Sequence, residues 1–189
     1  METEKNNAYY SELAERAVND MKAFDELYEH FFRIVYNMVY FRVKNADTAD
    51  DITSDIFLKA TRNLKNFDSR KASFATWISR ITVSVCTDYF RTNGKTQESS
   101  WDDTFGLASD SKEQPEQQFI LNENKKLLLK ALETLSEREQ KIIEMMFWFD
   151  MTHVEIAEVL ALTPSNVGII LHRAITALKK KLPEKDKFL

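Results

Sequence analysis

The stretch "MTHVEIAEVLALTPSNVGIILHRAITALKKKL" (Met151–Leu182) decides the fold of the C-terminal part of the chain. Thr163 is a good N-cap and Pro164 follows it at the first helical position. Ala157 is small, as required where two helices cross closely. The apolar residues that follow recur at helical spacing: Val167, Ile170, Leu171, Ala174 and Leu178. The pattern predicts a helix-turn-helix unit. The alternative is a helical hairpin that only packs against its own domain.

Two residues depart from the usual pattern of such a unit. Ala161 stands at the turn where glycine is usual, so a left-handed conformation there would cost about 1 kcal/mol or more. Gly168 lies inside the second helix and costs about 1 kcal/mol relative to alanine. Its missing side chain either lets a phosphate or base edge approach closely or is simply tolerated.

The outward face of the second helix predicts a reader of duplex DNA that is weak by itself. Asn166 can pair with adenine and Ile169 can contact a thymine methyl group. Arg173 and the lysines at 179–181 can contact phosphates, although such a run is more often a solvated helix end. The residues expected to face the groove are Thr163, Ser165, Asn166, Ile169, His172 and Arg173. Such a face needs help from another DNA contact or another protein.

Composition excludes several functional classes. The 189 residues are 43% hydrophobic with a net charge of −4, and they include three glycines and one cysteine, Cys86. An internal disulfide is impossible, and no glycine-rich phosphate loop can be built. The histidines have no metal-ligand spacing to each other or to Cys86. We therefore expect no cofactor, no metal site and no enzymatic activity. The chain has no signal-peptide pattern and no apolar run long enough to span a bilayer, so a cytoplasmic location is expected.

Charge and apolar spacing organise the rest of the chain. The net charge is −6 over residues 1–58, +6 over 59–95, −6 over 96–124 and +2 over 125–189. Asp47 is a plausible N-cap for the second of three amphipathic helices. Their apolar stripes are Phe24, Leu27, Tyr28, Phe31, Val35, Met38 and Val39; then Ala49, Ile52, Ile56, Phe57, Ala60 and Leu64; then Phe74, Ile78, Ile81 and Val85. No segment alternates like a strand.

The predicted fold is all-α, with two small helical domains joined by a flexible acidic linker. The expected boundaries are an N-terminal extension (1–20), a first domain (21–92), a linker (93–119), a second domain with the helix-turn-helix (120–183) and a tail (184–189). The linker is rich in Ser, Asp and Glu and holds two of the three glycines. In the second domain, Ser136 and Glu139 form a capping box.

The basic block "NFDSRKASFATWISRITVSVCTDYFRTNGK" (Asn66–Lys95) interleaves aromatic and basic residues. Beside its apolar stripe runs a second one: Ser73, Trp77, Arg80, Ser84, Thr87 and Arg91. Single-stranded nucleic acid binds such surfaces, because bases stack on rings while cations follow the backbone. The alternative is a core tryptophan beside a solvated basic face. The preceding helix exposes Asp50, Asp51, Ser54 and Asp55, which could bind a metal or stay solvated, but we favour a basic protein partner.

Three segments, in order, resemble the extracytoplasmic-function sigma factors, the small specificity subunits of bacterial RNA polymerase. "ADDITSDIFLKA" (Ala49–Ala60) resembles their polymerase-binding helix. "FATWISRITVSVCTDYFR" (Phe74–Arg91) resembles the segment that melts and holds the −10 element. "LSEREQKIIEMMFWFDMTHVEIAEVLALTPSNVGIILHRAITAL" (Leu135–Leu178) resembles the −35 reader. The resemblance covers nearly all of residues 22–182.

The resemblance implies a function, partners and site residues. The chain would bind core RNA polymerase, direct it to promoters through −35 duplex and single-stranded −10 DNA, and promote melting. An anti-sigma protein would hold the free chain. Core-binding residues would be Asp51, Ser54, Asp55 and Leu58. The −10 residues would be Asn66, Phe67, Lys71, Phe74, Trp77, Arg80, Ser84 and Arg91, with residues 66–71 in the loop that captures a flipped −10 base.

Several residues depart from the family pattern. Ser54 replaces Gln in the polymerase-binding helix, Val83 and Ser84 replace Arg-Asn in the −10 segment, and Gly168 and Ile170 replace Lys and Arg in the recognition helix. These departures lower the expected number of phosphate contacts.

The main alternative is a helix-turn-helix regulator that binds duplex DNA as a dimer without acting as a polymerase subunit. It explains residues 135–182 equally well, but not the basic block or the acidic helix. An adaptor that binds only proteins is a further alternative. An all-helical enzyme would need a clustered acid–base or metal constellation, and the sequence offers none.

Overall fold

The computed structural model describes the backbone of residues 2–93 and 127–182 and the side chains of residues 7–93 and 127–182. Every regular element in those ranges is helical, which confirms the all-α prediction. The elements are α1 (Glu2–Ala17), α2 (Met21–Val43), α3 (Ala46–Asn63), a 3-10 turn (Leu64–Asn66), α4 (Phe74–Asn93), α5 (residues 127–133), α6 (Glu137–Phe147), α7 (His153–Leu160) and α8 (Pro164–Lys181). The predicted linker, apart from residue 93, and the predicted tail lie outside the described residues.

Helices α1 to α4 form the first helical unit, and its core follows the predicted stripes closely. Along α2, the predicted residues that are buried are Leu27, Phe31, Val35, Met38 and Val39. All six residues of the α3 stripe are also buried. Phe24 and Tyr28 lie at the edge of the core, where Tyr28 packs against Phe57 with ring centroids 4.8 Å apart.

The buried row of α4 differs from the predicted stripe. Phe74 and Ile78 are buried as expected, but the row continues through Thr82 and Cys86, whereas Ile81 and Val85 are only half-buried. A threonine can occupy this core because its hydroxyl donates to the carbonyl of Ile78 at 2.9 Å. The polar group is thereby satisfied inside the helix, and the interior accepts it.

The N-cap of α3 is Asn45, so the prediction of Asp47 was wrong. The Asn45 side chain accepts a hydrogen bond from the Thr48 amide at 2.9 Å, and Asp47 lies inside the first turn. The preceding Lys44 ends α2 in a left-handed conformation with φ of 56°. The chain therefore turns immediately and α3 starts two residues earlier than predicted. Asp47 still favours the helix electrostatically, because its charge lies near the positive end of the helix dipole.

The second helical unit contains the predicted helix-turn-helix in α7 and α8. The two helices are bent by 101° relative to each other, within the range typical of such motifs. Ala161 adopts a left-handed conformation with φ of 52° despite its cost for a residue with a side chain. Thr163 caps α8, with Pro164 at its start. Capping boxes begin both α6, through Ser136 and Glu139, and α7, through Thr152 and Glu155.

Helix α1 packs into the first unit rather than projecting from it. Its buried residues Leu13, Ala14 and Ala17 belong to the same core as α2, α3 and α4. Residues 1–20 were predicted to be an N-terminal extension outside the first domain. The packing joins most of that segment to the first unit.

No single helix in the described ranges has both the length and the apolarity needed to cross a membrane. Only α7 and α8 taken together, across their bend, reach that length and composition.

Candidate nucleic-acid interface

The outward face of α3 carries the four residues predicted to contact polymerase. Asp51, Ser54, Asp55 and Leu58 follow the i, i+3, i+4, i+7 spacing of one helix face, and all four are exposed. Leu58 is 54% exposed, which is high for a leucine. An acidic face with one exposed apolar residue suits a protein surface that is both basic and apolar. Among the described residues, no three His, Cys, Asp or Glu side chains converge as metal ligands.

A cleft between α3 and α4 brings together several of the predicted −10 residues. We call it the basic cleft; its volume is about 320 Å³, and it is lined by Lys59, Asn63, Asn66, Trp77, Arg80, Ile81 and Ser84. Asn66, Trp77, Arg80 and Ser84 were predicted from the sequence. A half-buried indole with cations and polar groups around it can stack a base and hold its backbone.

Lys59 and Asn63 of the basic cleft were missed. They lie four residues apart on α3 and therefore on one face of that helix. The four-residue spacing of Lys59 and Asn63 was visible in the sequence. Only the packing of α3 against α4 shows that this face of α3 lies beside Trp77. Arg91, also predicted, lies further along α4, exposed and 3.2 Å from Asp88.

The loop at residues 67–73 leads from the 3-10 turn into α4 and presents two cations. Asp68 organises it, because its carboxylate accepts hydrogen bonds from the Arg70 amide at 3.0 Å and from the Arg70 guanidinium at 2.8 Å. These bonds from Arg70 lower the pKa of Asp68 to about 2. The side chains of Arg70 and Lys71 are 87% and 83% exposed. Lys71, one of the predicted −10 residues, therefore lies at an open tip of the loop.

Phe74 does not offer its ring to DNA, so its inclusion among the −10 contacts was wrong. The side chain is only 3% exposed. Its ring centroid lies 5.0 Å from that of Phe31, 5.7 Å from Phe67 and 5.5 Å from Trp77. Phe74 thus packs against Trp77 and Phe67 from the core side. The half-buried Phe67 packs edge-to-face against the rings of Phe74 and Trp77.

The predicted −35 residues all lie on the exposed side of α8 and its cap. They are Thr163, Ser165, Asn166, Ile169, His172 and Arg173. The opposite side buries Val167, Ala174 and Leu178. We call the exposed set the recognition face. The Thr163 hydroxyl accepts from the Asn166 amide at 3.2 Å, so this residue acts first as the helix cap.

Gly168 lies beside α7. A Cβ atom at this position would be 3.6 Å from Cε1 of His153, an ordinary contact distance. Close approach of DNA and simple tolerance remain the two alternatives for this glycine. The geometry leaves room for a methyl group next to His153.

Contacts between the two helical units fall on α4, beside the basic cleft. Glu155 of α7 accepts hydrogen bonds from the hydroxyls of Ser73 at 2.6 Å and Thr76 at 2.8 Å. One turn further, Arg80 lies 3.2 Å from Glu158. Sequence reasoning missed these contacts, because they join residues about 80 positions apart. We call them the α4–α7 contacts.

A buried ion pair joins the units on another side. Arg42 of α2 and Glu144 of α6 are 2.6 Å apart, with side chains 11% and 3% exposed. Burial alone would lower the pKa of Arg42, but attraction and hydrogen bonding to Glu144 raise it. Each charge is thus stabilised by the other, because a single unpaired charge buried at this place would be strongly unfavourable.

Comparison with protein families gives matches to both units. Sigma-70 region 2 matches residues 27–96, and Sigma-70 region 4 matches residues 125–178. The first match contains α3, the basic cleft and α4. The second contains the helix-turn-helix up to Leu178. Helix α1 lies before the first match.

Two curated relatives illustrate the similarity over most of the chain. The ECF RNA polymerase sigma factor BldN of Streptomyces coelicolor is 26% identical over 182 residues, which are 96% of this chain and 69% of BldN. The RNA polymerase sigma factor YlaC of Bacillus subtilis is 28% identical over 158 residues, which are 84% of this chain and 91% of YlaC.

Among solved structures, CnrH in complex with the cytosolic domain of CnrY has a similar fold. The TM-score is 0.64 at 20% identity, over 90% of this chain and 94% of that one. This likeness concerns the fold, while the two region matches and the relatives concern the family. The chain belongs to the sigma-70 family, as an extracytoplasmic-function sigma factor.

Proposed function

We propose that this sigma factor binds core RNA polymerase through α3, holds the single-stranded −10 element in the basic cleft and reads −35 duplex DNA with the recognition face. The observation that carries the proposal is the convergence of Asn66, Trp77, Arg80 and Ser84 on one cleft, in a chain whose second unit presents an exposed recognition helix. The first surface is a cleft around an indole and the second is an exposed helix face, which suit single-stranded and duplex DNA respectively.

The basic cleft suits an unpaired strand. A base can stack on Trp77 only after it leaves the duplex, so binding here favours the melted form of the −10 element. Arg80 and Lys59 carry positive charge at the cleft and can neutralise the strand's phosphates. The exposed Arg70 and Lys71 extend this charge to the loop at residues 67–73. Melting is thereby driven by differential binding rather than by a chemical step.

The recognition face suits duplex DNA in the major groove. Asn166 and Ile169 can read base edges, while Arg173 can contact a phosphate. Few of its exposed residues are cationic, so its affinity alone is low. We propose that polymerase binding through Asp51, Asp55, Ser54 and Leu58 supplies the missing affinity, because linked sites act at a high effective concentration.

We propose that the polymerase performs all the chemistry of RNA synthesis and that this chain acts in the cytoplasm. We also propose that a protein partner sequesters the free chain. CnrH, which shares the fold, was solved in complex with the cytosolic domain of CnrY. Contact at α3 or at the basic cleft by such a partner would block initiation directly.

The test is transcription in vitro from a randomised promoter library with bacterial core polymerase, with and without this protein. We expect specific transcripts only when the protein is present, and their sequences define the −10 and −35 preferences. Trp77→Ala should reduce promoter opening about tenfold or more, since each stacked base contributes about 1–3 kcal/mol. Arg80→Ala should also reduce it, because it removes a cation from the basic cleft. Binding to core polymerase should be unchanged for both variants.

Two outcomes would contradict the proposal. Absence of binding to core polymerase, together with binding to palindromic duplex DNA, would favour the stand-alone regulator. Binding to core polymerase without any new transcripts would favour an adaptor that contacts only proteins.

A further inference from the structure

Helix α1 contacts both the loop at residues 67–73 and the first residue of α4, which follows the loop. At the start of the loop, Glu15 accepts hydrogen bonds from the amide and the hydroxyl of Ser69. At the end, the hydroxyl of Ser11 accepts from the amide of Phe74 at 3.0 Å. Ser11 and Glu15 are four residues apart on α1, so they lie on one face of that helix.

The contact of Ser11 is buried and uses its hydroxyl in both directions. Ser11 is 6% exposed, and its hydroxyl donates to the carbonyl of Asn7 at 2.7 Å while it accepts from Phe74. The Phe74 amide is at the first turn of α4, where helix amides have no partner within the helix. Ser11 therefore caps α4 from a distance of 63 residues in sequence.

The contact of Glu15 is exposed and concerns the turn itself. Ser69 stands between Asp68 and Arg70, which close the turn through their own hydrogen bonds. Those bonds fix the shape of the turn, but they do not attach it to the rest of the first unit. Glu15 provides such an attachment from α1. The orientation of Arg70 and Lys71 relative to Trp77 thus depends on α1.

We propose that Ser11 and Glu15 are positioning residues for −10 recognition: by fixing the loop at residues 67–73 against α4, they determine which base the loop accepts beside the basic cleft. This inference rests on the proposed function. It gives the segment before the matched Sigma-70 region 2 a role in promoter specificity.

The experiment repeats the promoter selection with the full-length chain and core polymerase, with the −10 region randomised and the −35 element fixed. The variants are Ser11→Ala, Glu15→Ala and Glu15→Gln, with Glu12→Ala as a control that removes an exposed glutamate from the same helix. We expect Ser11→Ala and Glu15→Ala to lower the preference for the selected base about fivefold or more at one or two −10 positions, as loss of a buried or charged hydrogen bond would.

Glu15→Gln should restore most of that preference, because its amide oxygen still accepts from Ser69. Glu12→Ala should leave the profile unchanged. A second selection, with the −35 element randomised, should give the same preference for all variants. Thermal melting of each variant separates positioning from folding; Glu15 is exposed, so Glu15→Ala should melt near the wild-type temperature.

A uniform drop in transcript yield with an unchanged −10 profile would overturn the inference and leave α1 a purely structural helix. The same profile change in Glu12→Ala would also overturn it. If the wild-type chain itself selects no promoters, the proposed function fails and the inference fails with it. The wild-type arm alone shows that outcome, so the two failures are distinguishable.

Discussion

The two proposed DNA-binding surfaces differ in how many of their polar groups already have partners within the folded chain. At the start of α4, Thr76 and Arg80, together with Ser73 just before the helix, contact Glu155 and Glu158 of α7. On α8, the side chains of the recognition face point outward along one exposed stripe. The proposed −35 surface is therefore exposed in the folded chain, whereas Arg80 of the proposed −10 surface is already paired with Glu158.

The contacts that join the two units also differ in strength. The Arg80–Glu158 pair is about half exposed on both sides, and such surface pairs contribute about 0–1 kcal/mol. The Arg42–Glu144 pair is buried, and loss of one partner there costs about 3–5 kcal/mol. The units also share apolar packing, because Met145, Ile156 and Val167 belong to the same core as the buried residues of α1 to α4. Separating them therefore exposes apolar surface in addition to breaking these pairs.

The largest effect is expected from Glu144→Gln. The substitution leaves the Arg42 guanidinium charged and buried without a carboxylate, so we expect a loss of about 3–5 kcal/mol in the free energy of unfolding. Chemical denaturation measures that loss. Cys86 gives a second readout, because it is the only cysteine, it is fully buried, and burial raises the pKa of its thiol to about 11. Its alkylation should accelerate in the variant.

Glu137→Gln is the matched control for that prediction. Glu137 pairs with Lys141 on the same helix but is 65% exposed. Its substitution should change the free energy of unfolding by less than about 1 kcal/mol. An equally small effect of Glu144→Gln would show that the buried pair does not hold the units together.

The second-largest effect is expected when low pH protonates the Glu155 carboxylate. Burial alone would raise the pKa of Glu155, but hydrogen bonds from Ser73, Thr152 and Thr76 lower it below its ordinary value of 4.5. A carboxylate with a lowered pKa stabilises the folded contact fully above 4.5, and that stabilisation is lost as the pH falls through the lowered value. We expect the α4–α7 contacts to be lost in that acid range and the two units to move partly apart.

Small-angle scattering of the free chain, titrated from neutral pH to below 4.5, measures this separation. Glu155→Gln is the control, since glutamine keeps an acceptor for the capping box but does not titrate there. The radius of gyration should rise for the wild type and stay nearly constant for the variant. A parallel rise in both would assign the change to other groups.

Much of both units could be predicted because local patterns determined it. The apolar stripe of α3, the capping box at Ser136 and the left-handed Ala161 all depend on residues within a few positions of each other. The errors arose where tertiary packing decided between local options. Asn45 and Asp47 are both acceptable caps, and the α4 stripe shifted because Thr82 satisfies its hydroxyl within the helix.

The candidate site was predictable only in part, for a related reason. Trp77, Arg80 and Ser84 share one face of a single helix, so spacing alone placed them together. Lys59 reaches the same cleft from another helix. The hydrogen bonds of Glu155 to α4 cross from one unit to the other. A single sequence contains no spacing rule for such contacts, because they depend on how helices far apart in sequence pack.

The third prediction concerns Gly168→Ala in the recognition helix, which should raise stability without changing DNA affinity. Alanine in a helix interior is favoured over glycine by about 1 kcal/mol, and the added methyl group would meet His153 at an ordinary 3.6 Å. We therefore expect a higher melting temperature and unchanged affinity for −35 duplex DNA in fluorescence anisotropy. A loss of affinity despite higher stability would show that DNA approaches the backbone at Gly168 too closely for a side chain.

The smallest effect is expected from Glu158→Gln, which weakens the exposed pair with Arg80. The variant should bind a single-stranded −10 oligonucleotide up to about fivefold more tightly, because the pair contributes at most about 1 kcal/mol. Arg80→Ala breaks the same pair but should bind the strand more weakly, since it also removes the cation that meets DNA. If titrations with the oligonucleotide show higher affinity for Glu158→Gln and lower affinity for Arg80→Ala, then α7 competes with DNA for Arg80. A decrease in both would mean that Glu158 orients Arg80 for DNA instead of withholding it.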